Sequence, residues 1–224
     1  MDQSIVSALS AVKVNEVPEN EYQTIKKGKT WDLSRINFEK LEKEFKKAEY
    51  KNIEIADLRA FIEDKLEKML KENITRTDFA ERFQAIVDNY NSGGSTTENY
   101  FEDLMDFAKE MRDEDVRHIK EGLSKDELEL FDILKKNRLT KEEEKRVKLA
   151  ASHLLKRLIE EHPRILVQDW FKDSQSRIRV KTAIEEVLDR NLPESYDRVE
   201  FKKTCDRAYD LVYEYSSKRV KWAA

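Results

Sequence analysis

Glycine and proline are scarce in this sequence: 224 residues hold four glycines and three prolines, so few positions are able to interrupt a helix. Cysteine is almost absent. Cys205 stands alone, which excludes a disulfide framework and a cysteine-built zinc site and fits a reducing, cytoplasmic setting. No apolar run approaches the roughly 20 residues that span a bilayer, so a soluble chain with no membrane partner is expected. The opening stretch MDQSIVSALSAV lacks the positive leading region of a secretory signal and reads as a short helix or an ordered tail. An excess of charge of one sign is missing too. Against 43 Lys and Arg stand 47 Asp and Glu, a formal net charge of -4. That balance argues against a dedicated nucleic-acid binder and permits a local basic face.

What is present is helical period. The chain predicts an all-α fold, a multi-helix bundle of about seven or eight helices, with residues 1–30 less patterned and residues 31–224 forming the helical domain. Ile55, Leu58, Phe61, Ile62, Leu66, Met69 and Leu70 make one apolar stripe, and Phe79, Phe83, Ile86, Val87 and Tyr90 make the next. Between them, Asn73 tolerates the left-handed conformation that ends a helix, and Thr75 with Asp78 reads as a capping pair. Gly93-Gly94 lets the backbone reverse, and Ser95 with Glu98 is expected to cap a helix striped by Phe101, Leu104, Met105, Ala108 and Met111. Ser124 with Glu127, Thr140 with Glu143, and Asp197 with Glu200 open later helices, while Pro163 and Pro193 close their predecessors. Phe201, Cys205, Ala208, Val212 and Tyr215 share one face of the last helix, so Cys205 reads as a small core residue rather than a nucleophile. Only residues 50–56 and 165–171 are candidates for short extended segments.

Catalytic motifs fail on inspection. Gly28-Lys29-Thr30 copies the tail of a phosphate-binding loop, but Gln23 stands where that loop needs a glycine and no strand precedes it. The run RDEDVRH, Arg112 to His118, imitates a magnesium-holding acidic box, yet it continues a polar helical face instead of ending a buried strand. His118, His153 and His162 have no i, i+4 partner among themselves, and solvated or capping roles are expected. No serine or cysteine sits in a nucleophile elbow. The expectation is no catalytic, metal or cofactor residue.

Surface chemistry remains. Lys172, Arg177, Arg179 and Lys181 cluster around a helix whose other face carries Ile184, Val187 and Leu188; they form either a small basic patch able to contact DNA or a solvated amphipathic face. The segment KTWDLSRINFEKLEKEFKKAEY offers Trp31, Ile36, Phe38, Leu41 and Phe45 to the core or to a partner. Tyr100, Leu104 and Phe107 widen the apolar side of one helix, and Tyr209 with Tyr213 flank the stripe of the last. Such aromatics serve partner docking or packing against a neighbouring helix.

The stretch NITRTDFAERFQAIVDNYNSGGSTTENYFEDL, residues 73–104, resembles the C-terminal helical region of the restriction subunit of type I restriction-modification enzymes, the DNA-translocating motor subunit. Asn73, Arg76, Asp78, Phe79, Tyr90 and Asn91 carry the resemblance. It continues through EGLSKDELELFDIL, LTKEEEKRVKLAASHLL and LPESYDRVEFK, over roughly residues 25–215. The family usually has one glycine at the turn where this chain has two. The resemblance implies a non-catalytic assembly domain that braces an ATP-dependent translocase and docks it to the methyltransferase core of modification and specificity subunits. It also implies that DNA is met through the assembled complex, and that ATP and magnesium belong to domains preceding this region. Composition alone leaves open a second reading, a free-standing helical adaptor or regulator unrelated to DNA.

Overall fold

The structure, a computed structural model, describes residues 32–161 and 165–222. These residues form nine α-helices, eight of them of seven residues or more, and no strand, as the period of the sequence predicts. The chain divides into two compact units, residues 1–57 and 58–224.

In the first unit, Asp32 caps a 3-10 turn at Leu33–Arg35 by accepting from the Ser34 N–H. Asn37 accepts from the Lys40 N–H at 2.9 Å and opens α1, Phe38–Lys47. Leu33, Phe38, Leu41 and Phe45 are buried, and the Lys51 ammonium lies 5.5 Å over the Phe45 ring. The segment thus gives Phe38 and Phe45 to a core, while Tyr50 at its end is exposed. Trp31 and the Gly28-Lys29-Thr30 tail lie outside the described residues.

Helix α2, Lys51–Glu72, buries Ile55, Leu58, Ile62, Leu66 and Met69. Its first turns occupy the first of the two candidate extended segments. In the second unit, α3 (Thr77–Asn91) and α4 (Thr97–Asp115) pack as an antiparallel pair. Phe83 meets Phe107 with ring centroids 5.5 Å apart, and Tyr90 stacks on Tyr100 at 4.0 Å. Tyr100, Leu104 and Phe107 are therefore core residues, at most 3% exposed. The wide apolar side of α4 is used inside the domain.

A short α5, Arg117–Lys120, leads to α6 (Lys125–Leu134), α7 (Lys141–Leu155), α8 (Ser174–Asn191) and α9 (Arg198–Lys218). Each of these last four packs on the next, and α9 returns onto α6. Leu128, Leu134, Val147, Leu154, Val180, Ile184, Leu188, Cys205, Ala208 and Val212 fill the space between them. Each fully buried leucine there contributes about 1.5–3 kcal/mol.

The helix boundaries mix agreement and correction. Ser124 with Glu127 and Thr140 with Glu143 form complete reciprocal capping boxes. Asp197 accepts from the N–H groups of Val199 and Glu200, and α8 ends before Pro193 as expected; Pro163 lies outside the described residues. Asn73 is not left-handed. It is extended, at φ -150°, and its side-chain oxygen caps a 3-10 turn, Ile74–Arg76, by accepting from the Thr75 N–H. The pairing of Thr75 with Asp78 does not form, because the chain enters α3 directly from that turn without a side-chain cap. At α4 the cap is Thr96, accepting from the Asn99 N–H at 3.2 Å, one residue beyond the predicted Ser95. The two glycines before it are not equivalent. Gly93 has φ +79°, while a Cβ on Gly94 would overlap the Asn89 side chain and sit 3.2 Å from its carbonyl oxygen. The segment 165–171 is turn and 3-10 helix rather than strand.

Two partly buried polar clusters tie the second unit together. In the first, Arg76 donates to Glu114 at 3.0 Å, Arg117 donates to Glu114 at 2.7 Å and to Asp132 at 3.0 Å, and Lys135 donates to Asp132 at 2.9 Å. Burial opposes the charge on Arg117, but hydrogen bonds to Asp132 and Glu114 outweigh it and hold its pKa above the ordinary guanidinium value. In the second, the wholly buried Glu129 accepts from the Tyr215 hydroxyl and the Lys221 ammonium. Tyr215 in turn accepts from the Ile74 N–H at 3.0 Å, and Lys221 also reaches Asp126 at 2.8 Å and the Glu72 carbonyl at 3.1 Å. Burial raises the Glu129 pKa, against the lowering pull of Lys221 and Tyr215.

Candidate docking interface

At the start of α8 the chain passes through a 3-10 turn, Trp170–Lys172, entered from Asp169 in the left-handed region. This turn delivers two adjacent aromatics. Trp170 is 1% exposed, and the half-buried Tyr209 and Tyr213 of α9 each meet it edge-on with centroids 6.0 Å apart. Phe171 meets Tyr213 at 6.3 Å. Four rings from two elements thus make one aromatic surface anchored on the buried indole. Burial pushes the Tyr209 hydroxyl pKa up, and the neighbouring charge of Arg177 pulls it back.

Basic residues border these rings. Lys172 lies 5.6 Å over Phe171 and 3.0 Å from Asp169. Lys181 lies 5.9 Å over Tyr209 and 2.8 Å from Asp206, and the hydrogen bond to Asp206 holds its pKa above the usual lysine range. Arg177 is exposed one helical turn before Lys181. The tyrosines and three of the four basic residues singled out from the sequence therefore meet on one face. Arg179 does not join them: two residues from Arg177 is about 200° around the helix, and its charge bears on Asp173. Asp173 caps α8 by accepting from the Ser176 N–H at 2.7 Å.

Sequence reasoning missed the anchors and the counter-charges. Trp170 and Phe171 fall in the second candidate extended segment, and nothing in the sequence marks Asp169 and Asp206 as partners of Lys172 and Lys181. The adjacent run DWFKD, Asp169 to Asp173, holds the available signal: paired aromatics between two acids. A cavity of about 110 Å³ opens beside the cluster, lined by Asp169, Trp170, Phe171, Ser216 and Arg219.

The residues that carried the family resemblance divide by burial. Asn73 and Arg76 are buried, Phe79 meets Phe107 edge-on at 5.9 Å, and Tyr90 stacks on Tyr100. Asp78 and Asn91 are exposed. The carboxylates of the imitation acidic box are held in ion pairs: Asp113 with Lys120 at 3.4 Å, Glu114 with Arg76 and Arg117, Asp115 with Lys65 at 3.7 Å. His118 Nδ1 lies 3.0 Å from the Asp115 carbonyl. Cys205 is buried, which pushes its thiol pKa up to about 12. Among the described residues no group of three or more His, Cys, Asp and Glu is arranged to hold a metal ion. No helix among them is long and apolar enough to cross a membrane.

Fold and surface together define the class as an all-α domain with a basic-aromatic face. The model of the family described as type I restriction enzyme HindI endonuclease subunit-like, C-terminal, matches residues 1–216, and the chain belongs to that family. No curated protein and no solved structure matches it.

Proposed function

We propose that this chain is a non-catalytic assembly domain of a type I restriction endonuclease, bracing the ATP-dependent translocase and docking it to the modification and specificity subunits. The observation that carries the reading is the half-buried pair Tyr209 and Tyr213, seated on buried Trp170 and bordered by Lys172, Arg177 and Lys181. Aromatics held by a rigid anchor bury much area on binding at little rotamer cost, and a basic rim steers an acidic partner. ATP and magnesium are assigned to other domains of the full subunit, and DNA to the assembled complex.

The test mixes this chain with the modification and specificity subunits of the same operon at micromolar concentration and follows gel filtration. Co-elution of the parent chain is expected, abolished in Tyr209→Ala/Tyr213→Ala and weakened in Arg177→Glu, whose exposed site leaves the core untouched. Thermal melting of each variant separates docking from unfolding. A parent chain that never co-elutes refutes autonomous docking.

A further inference from the structure

The four residues that follow α9 make a strap across the end of α2. Arg219 is left-handed at φ +52°, and its N–H and that of Val220 close on the Ser216 and Tyr215 carbonyls at 3.2 and 3.0 Å, a pairing that ends a helix and turns the chain back. The turn sends the Lys221 ammonium to Glu129 of α6, to Asp126 of α6 at 2.8 Å and to the Glu72 carbonyl, the last of α2, at 3.1 Å. Lys221 also lies 4.5 Å over the Tyr215 ring and 5.0 Å over Trp222, and Trp222 meets Tyr215 edge-on at 5.3 Å.

Lys221 fills two needs at that helix end. The last carbonyls of a helix have no partner within it, and a cation placed there also meets the negative end of the helix dipole. Two residues on, the Ile74 N–H donates to the Tyr215 hydroxyl at 3.0 Å, and that hydroxyl donates to Glu129, the carboxylate that Lys221 also meets. Both sides of the joint between α2 and α3, the Glu72 carbonyl and the Ile74 N–H, therefore lead to Lys221. One does so directly, the other through Tyr215 and Glu129.

The fastening is light. The two backbone bonds of the strap stay within the end of α9, and its hold on α2 and α6 is carried by the side chains of Lys221 and Trp222, the indole reaching Asp126 at 3.4 Å. Trp222 is held at φ +56°, a conformation that a bulky residue keeps only where its surroundings enforce it. The strap also lies beyond residue 216, where the family match ends, so the shared fold does not account for it. We infer that residues 219–222 are a releasable clamp on the joint between α2 and α3: docked, the clamp fixes the joint, and detached, it frees the joint while the α6–α9 core stays folded. The clamp does not depend on the docking reading.

The test is native-state amide exchange of the full chain, followed residue by residue in urea below the unfolding transition. Local opening exposes little surface and so responds little to urea, whereas global opening responds steeply. In the parent, the Ile74 amide is expected to exchange faster than those of Ala150 and Leu154, wholly buried in α7, and with a flat dependence on urea. Lys221→Met should speed Ile74 by about tenfold, the effect of one lost charged hydrogen bond, with the dependence still flat. Val220→Ala changes an exposed strap residue and should leave the Ile74 rate as it is. An Ile74 amide that follows the urea dependence of Ala150 and Leu154 in the parent overturns the inference, and so does an Ile74 rate unchanged in Lys221→Met. The parent measurement decides even where Lys221→Met folds poorly.

Discussion

The two partly buried polar clusters solve the same problem in different ways. Arg76, Glu114, Arg117 and Asp132 alternate in sign across three helices and the turn before α3, so each inner charge touches an opposite charge on both sides. Glu129 sits alone at zero exposure, and its cation, Lys221, comes from beyond the end of α9. Arginine cannot release its proton in a protein, whereas a buried carboxylate can accept one. The relay is therefore a fixed structural element, and the Glu129 cluster is an adjustable one.

Removing a link from the relay is the largest expected loss. Glu114→Ala leaves Arg76, 5% exposed, without its hydrogen-bonded carboxylate; breaking a buried pair from one side costs about 3–5 kcal/mol. Urea unfolding measures it, and a loss under about 1 kcal/mol would show that the relay is wetter than its burial indicates. Lys221→Met should cost less, about 1–3 kcal/mol, because Glu129 keeps the Tyr215 hydrogen bond and takes up a proton. An equal loss in both variants would erase the distinction between the clusters.

The smallest effect is in pH. Because the folded pKa of Glu129 is raised above 4.5, the folded state holds its proton longer than the unfolded chain does. Its contribution is full below pH 4.5 and is lost as pH rises through the folded pKa. Melting temperatures followed upward from pH 4.5 should therefore fall more in the parent than in Glu129→Gln, and more still in Lys221→Met. Parallel curves for all three would sink the assignment.

Legibility in the sequence follows distance along the chain. The boxes at Ser124 with Glu127 and Thr140 with Glu143 are local, complete in four residues, and both form as read. Ser95 gives way to Thr96 because adjacent residues of similar capping ability compete, and the geometry of the Gly93-Gly94 turn decides between them. Asn73 marks the right boundary in a different conformation, since its side chain serves the turn that follows rather than the helix that ends. The relay was beyond reach: Arg76 and Glu114 stand 38 residues apart, and in a chain 40% charged spacing gives no reason to pair them. The candidate interface was half legible. Tyr209 and Tyr213 stand out against the stripe of α9, but Trp170 becomes their anchor only once α8 and α9 are packed.

Cys205 gives this molecule a clock of its own. The chain has one sulfhydryl, 1% exposed among α6–α9, and burial pushes its pKa up to about 12. Thiol reagents attack the thiolate, so in the closed core the sulfur is doubly silent, shielded and protonated. Each labelling event records an excursion in which α9 has parted from its neighbours, and when reclosing is fast the labelling rate, divided by that of a free thiol, reads the population of the open state. The opening free energy of the four-helix core can thus be read without denaturant or mutation.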